Sequence, residues 1–149
     1  MTMVDHTGLC PAAIDESLRF YRDGVGLTVL ADFTMDADLE PLLGRHTRQV
    51  RAVFLGSPDS PHAGTLELLD LYDADIRCEA KGSGTPHRGV FLLSFVVDVE
   101  QVLTRLSDLG LGGRPRIMRS AHGISATVAD PDGVTVELLS RPVPHLPSS

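Results

Sequence analysis

Two hydrophobic periods take turns along this chain. Residues 4–10, holding Val4, Leu9 and Cys10 around Asp5-His6-Thr7-Gly8, read as a short strand. Residues 14–23 then place Ile14, Leu18 and Tyr21 on one side at helical spacing, and Gly24 and Gly26 stand where such a helix stops. Strands are predicted at 27–33, 49–55 and 65–71, the last two joined through the turn-rich Gly56-Ser57-Pro58-Asp59-Ser60-Pro61. An acidic loop at 32–44 has room for one helical turn near 39–43. The second half repeats the order. Residues 90–97 form an apolar strand, and Asp98 is an N-cap with Gln101 three residues on. Val99, Val102, Leu103, Leu106 and Leu109 make a helical stripe ended by Gly110. Strands follow at 114–119, 124–129 and 134–140, with Asp130-Pro131-Asp132-Gly133 as the turn between the last two.

The halves share more than their order. Thr65-Leu66-Glu67-Leu68-Leu69 and Thr135-Val136-Glu137-Leu138-Leu139 match as pentapeptides, with their glutamates seventy residues apart. Strand alternation puts each glutamate on one face with its neighbours two residues away. The expected fold is therefore α+β: two tandem βαβββ modules within a single domain over 1–149. Module one spans about 4–71, a linker about 72–89, module two about 90–140, and a proline-rich tail 141–149 is expected to fray.

Composition removes several classes of function. A net charge of −7, from 20 acids against 13 bases and with no basic cluster, disfavours a nucleic-acid partner, which needs cations to displace counterions. There is no long uncharged stretch for a membrane span, and no basic-then-apolar start resembling a secretion signal. Cys10 and Cys78 make neither a disulfide framework nor a paired-cysteine metal knuckle, so reduced thiols in a cytoplasm are the expectation.

The opening His6-Thr7-Gly8-Leu9 with Phe20-Tyr21 and Gly26-Leu27, together with the Asp130-Pro131-Asp132-Gly133 turn ahead of Glu137, resembles the vicinal oxygen chelate superfamily of glyoxalases, bleomycin-resistance proteins and dioxygenases. The resemblance implies a glyoxalase-like pair of half-barrels around a small-molecule pocket. It also implies a divalent metal (Zn, Fe, Mn, Ni or Mg) held by the first and last strands of each module. Carried onto this sequence, the ligands are His6, Glu67 and Glu137, with Glu67 or Glu137 free to act as a catalytic base. The fourth ligand position falls on Leu92 or Phe91, neither of which binds a metal. One imidazole and two carboxylates suit a hard or borderline cation and leave positions open for substrate.

An inward carboxylate without a cation is costly, so inward-facing Glu67 and Glu137 favour a metal, a basic ligand or proton uptake. A solvent-facing glutamate between core leucines is the plainer alternative. Around the pocket, Cys10 shares a strand face with His6 and is either a lining residue or a packed thiol. Leu92 and His122 are further lining candidates. His87 lies near the vacant ligand position, Arg48 and Arg51 are available to an anionic substrate, and His46 carries no argument. The expected function is a metal-dependent enzyme of lyase, isomerase or oxygenase type acting on a small oxygen-bearing metabolite. The alternative is a metal-free protein that sequesters an antibiotic, which the apolar Leu92 or Phe91 suits. A homodimer is expected, because open half-barrels expose strand edges that proteins usually cover.

Overall fold

The computed structural model describes residues 1–61, 64–73, 75–77 and 84–143. Residues 78–83 of the expected linker, with Cys78 and Lys81, lie outside that set, as do His62 and tail residues 144–149. The chain divides into two compact units: Met1–Arg22 with Gly26–Arg77, and Asp23–Val25 with Cys78–Ser149.

The first unit runs β1 (His6–Leu9), α1 (Ile14–Leu18), β2 (Thr28–Asp36), α2 (Glu40–Leu43), β3 (Gln49–Gly56) and β4 (Thr65–Asp70). Its sheet has the order β1-β4-β3-β2, with β1 parallel to β4 and the other pairs antiparallel. Directly paired residues share a face. Val53, Leu55, Leu66 and Leu68 therefore project together and are buried, on a sheet whose β4 packs against α1. Phe54 and Glu67, paired with each other, lie on the opposite face and are half-buried.

The helix departs from the expected one. After α1 the chain continues as a π-helical stretch, Arg19–Val25, in which Phe20 and Tyr21 are fully buried. Gly24 does not stop it. Gly26 does, at φ 100°, with its N–H and that of Leu27 both donating to the Tyr21 carbonyl at 3.2 and 3.0 Å. The wider turn leaves carbonyls without helical partners. Within the second unit, Arg105 satisfies two of them, donating to the carbonyls of Gly24 at 2.9 Å and Val25 at 3.2 Å.

The second unit continues with β5 (Leu92–Val96), α3 (Val99–Asp108), β6 (Gly112–Ser120), β7 (Gly123–Ala129) and β8 (Thr135–Leu139), in sheet order β5-β8-β7-β6. Asp98 caps α3 as expected, accepting from the Gln101 N–H at 3.0 Å, and Val99, Val102 and Leu106 bury its apolar stripe. The turn before β8 is built on buried Asp130, whose Oδ1 accepts from the N–H groups of Asp132 and Val134 at 2.9 and 2.8 Å. Two βαβββ modules are present, each with its sheet in the same strand order.

Candidate functional site

In the first unit, β1 and β4 pair in parallel with His6 opposite Thr65 and Gly8 opposite Glu67. The imidazole Nε2 of His6 lies 3.2 Å from Oε2 of Glu67, whose side chain is only 16% exposed. The other nitrogen, Nδ1, sits 2.6 Å from the carboxylate of Asp5. Phe54, beside Glu67 on β3, meets the imidazole edge-on at 5.5 Å and stacks at 6.1 Å on Phe33 of β2. The imidazole is thus fixed by a carboxylate at each nitrogen and by an aromatic wall. These contacts raise the His6 pKa above its usual value. The hydrogen bond to Asp5 contributes most, partial burial opposes it, and the charges of Glu67 and Asp5 add to it. A cavity of about 250 Å³ opens beside Asp5 and Phe54, its lining completed by Met3, Leu30, Pro61 and Thr65.

This arrangement fits a divalent cation. Two ligand atoms bonded to one ion at about 2.0–2.2 Å stand about 3.0–3.4 Å apart, and the Nε2 to Oε2 separation of 3.2 Å falls in that range. Ligating histidines commonly give their other ring nitrogen to a carboxylate, which fixes the tautomer and aims the lone pair. Asp5 stands in that position.

In the second unit the corresponding strands, β5 and β8, are also parallel, with Leu92 opposite Thr135 and Ser94 opposite Glu137. The two registers superpose residue for residue: Gly8 matches Ser94, Glu67 matches Glu137 and His6 matches Leu92. Of the two residues that were open for the vacant ligand position, the register selects Leu92; Phe91 precedes the strand. Where Gly8 leaves space beside Glu67, Ser94 fills it, and its hydroxyl donates to Oε2 of Glu137 at 2.7 Å. That bond sets the orientation of the Glu137 carboxylate, and nothing in the sequence pattern pointed to it.

Other expected residues fall elsewhere. Cys10 follows β1 and is exposed, so the packed thiol weighed for it is not found. His122 occupies the exposed two-residue turn between β6 and β7, with its backbone N–H bonded to Ser120 Oγ. His87 is exposed and sets its ring edge-on to Phe91 at 6.1 Å. Arg51 lies on the helix-side face of the first sheet with Val53 and Leu55. There it makes a two-pronged pair with Asp32, so it does not share a face with Glu67. His46 has more structure around it than its loop setting implied. Its nitrogens lie 2.9 Å from Asp38 and 3.1 Å from Glu40, closing the turn ahead of α2. These three residues bring ligand-type atoms within 4.8 Å of one another, all on the exposed surface. The Asp38-x-Glu40 spacing ahead of a one-turn helix was the available signal; the partnership with His46 depends on the return of the loop.

The profile of the Glyoxalase/Bleomycin resistance protein/Dioxygenase superfamily matches residues 3–138. The chain belongs to this superfamily. A lactoylglutathione lyase-like protein, terB, from Aspergillus terreus (strain NIH 2624 / FGSC A1156) is 37% identical over 149 residues, covering 93% of this chain and 75% of that protein. Among solved structures, a glyoxalase family protein from Bacillus cereus aligns with a TM-score of 0.74 at 14% identity, covering 93% of each chain. The trypanothione-dependent glyoxalase I of Leishmania major aligns at 0.63 and 23%, over 93% of this chain and 86% of that one. An antibiotic-binding protein from Streptomyces sp. CB03234 aligns at 0.58 and 20%, over 93% and 95%. At such identities the structural likenesses establish the fold. A glyoxalase-superfamily fold accounts for the doubled module and for the equivalent glutamates on β4 and β8. Among the described residues no helix is long and apolar enough to cross a membrane.

Proposed function

We propose that the chain is a divalent-metal-dependent enzyme of the glyoxalase superfamily, with His6, Glu67 and Glu137 as metal ligands, acting on a small oxygen-bearing metabolite in the cytoplasm. The observation that carries this reading is the His6–Glu67 pair: a histidine nitrogen and a shielded carboxylate at ligand-to-ligand distance, with Asp5 orienting the ring. The relative named for lactoylglutathione lyase points to the lyase or isomerase branch of the superfamily's chemistry. Glu137 enters by its equivalence to Glu67 in strand register.

Each residue then has a distinct task. Asp5 accepts from Nδ1 and leaves the Nε2 lone pair for ligation. Phe54 covers one edge of the imidazole and, with Leu30, offers an apolar wall of the neighbouring cavity to substrate. Ser94 holds the Glu137 carboxylate in one orientation, a requirement for a group that ligates or moves a proton at a fixed point. A divalent ion bound there supplies a Lewis acid for neighbouring substrate oxygens.

A second reading has its own observation. Leu92 stands at the register position of His6, and an apolar residue there suits a metal-free pocket that sequesters a small molecule. Metal analysis of protein purified without chelator separates the two. The enzyme reading expects close to one equivalent of a transition metal or Mg²⁺ per chain, with loss on Glu67→Gln. Metal-free protein that gains no stability from added cations supports sequestration.

A further inference from the structure

From a cavity in the second unit we infer an anion subsite, formed by Arg114 and Arg116, that takes a carboxylate or phosphate group of the substrate. The inference deepens the functional reading above and rests on it only in assigning the anion to a substrate; binding of the anion itself needs no cation.

The cavity measures about 440 Å³ and is lined by Gly112, Arg114, Arg116, Thr127 and Thr135 among others. Strand pairing places it on the functional face. Ser94, Glu137, Thr127 and Arg116 are paired in one row across β5, β8, β7 and β6, so Arg116 shares a face with Glu137. The two positions are two strands apart, about 10 Å across the sheet. That spacing is within reach of one small molecule lying across the sheet face.

The backbone is shaped for this placement. Between Gly112 and Arg116 the pairing slips, so three residues of β6 stand against one of β7. Gly112 and Gly113 take φ of 86° and 62°, a conformation L side chains rarely adopt, and Pro115 donates no ladder bond. A bulge of this kind re-aims the side chains it carries, and the two it re-aims here include Arg114. Arg116 is braced as well: Nη1 donates to the Gly84 carbonyl at 2.8 Å. That bond holds the guanidinium at the cavity. Among the described residues Arg114 makes no ion pair. In a chain of net charge −7, two arginines at one cavity with two threonines concentrate donors for an oxyanion. The guanidinium fork matches planar or tetrahedral oxyanions with paired hydrogen bonds.

The test uses the full chain stripped of metal and dialysed free of chelator, since chelators are themselves polyanions. Succinate and inorganic phosphate are titrated against succinamide and chloride at matched ionic strength, following melting temperature and the backbone amide signals of Thr127 and Thr135. A saturable rise with an oxyanion is expected, with none for succinamide or chloride. Arg116→Gln and Arg114→Gln should each weaken binding about tenfold or more, the loss of a charge-assisted pair. Arg116→Lys should restore part of it, which separates lost charge from a disturbed bulge. A response to succinate alone assigns a carboxylate, to phosphate alone a phosphate ester, and to both a general oxyanion site. His6→Ala should bind the anion as wild type does, so the anion site and the cation reading fail separately. No saturable response, or an equal response in the Arg114→Gln/Arg116→Gln double variant, overturns the inference.

Discussion

His6 illustrates how a single residue is set by its neighbours. Its nitrogens face Asp5 and Glu67, so without metal the imidazolium is favoured and its pKa is raised. A raised folded-state value means that the stabilisation is fully present below the unfolded pKa and is lost as pH rises through the folded one. A cation ligated by Nε2, as proposed, would compete with the proton, so its affinity should fall as pH drops through that raised value. Asp5→Asn should lower the His6 pKa in the metal-free protein, because the largest contribution is removed; imidazole proton shifts read this directly. An unchanged titration would show that Asp5 does not orient the ring. The counterpart at Glu137 is legible only in three dimensions. Glu67 and Glu137 announce themselves by matched pentapeptides, but Ser94 reaches its glutamate through parallel pairing across forty-three residues, and sequence spacing carries no trace of that. Gly8→Ser offers a check. Its Cβ would stand 3.5 Å from Oε2 of Glu67, ordinary contact, and the added hydroxyl should reach the carboxylate as Ser94 reaches Glu137. Cation affinity should fall with little change in melting temperature.

At the scale of elements, what sequence revealed and what it concealed divide by the range of the interactions. The α3 stripe, its Asp98 cap and the Asp130 turn depend on neighbours within a few residues, and they form as the pattern dictates. Replacing Asp98 by Ala should cost about 0.5–2 kcal/mol in urea unfolding, and Leu106→Ala about 2–5 kcal/mol by opening a cavity under the helix. The π-helical end of the first helix was hidden, because Gly24 reads locally as a stop. Burial of Phe20 and Tyr21 and the bonds from Arg105 carry the turn past it to Gly26. Gly26→Ala should therefore cost about 1–2 kcal/mol, the penalty of a left-handed conformation for a side chain. Strand edges shifted for a related reason. β2 runs on to Asp36 because it pairs with β3 down to Gln49, and Arg51 ties Asp32 into that ladder. An acidic stretch read alone gives no sign of it.

Over the whole molecule, the superfamily fold is established by sequence and by structure. β2 and β6 end their sheets, and both leave large apolar side chains exposed: Phe33 and Met35 on one, Ile117 and Met118 on the other. Edge strands of this kind are usually covered, so light scattering at micromolar concentration should report a dimer, and a stable monomer would contradict it. The proposed function requires that His6 and Glu67 hold a divalent cation. Calorimetric titration of the metal-free protein with Mn²⁺, Ni²⁺ and Zn²⁺ tests it most directly, alongside His6→Ala and Glu67→Gln. Near-stoichiometric binding is expected, weakening about tenfold or more in each variant while the melting temperature of the metal-free protein stays within a few degrees. Wild-type protein that binds none of the three ions, or variants that bind them as wild type does, would contradict it.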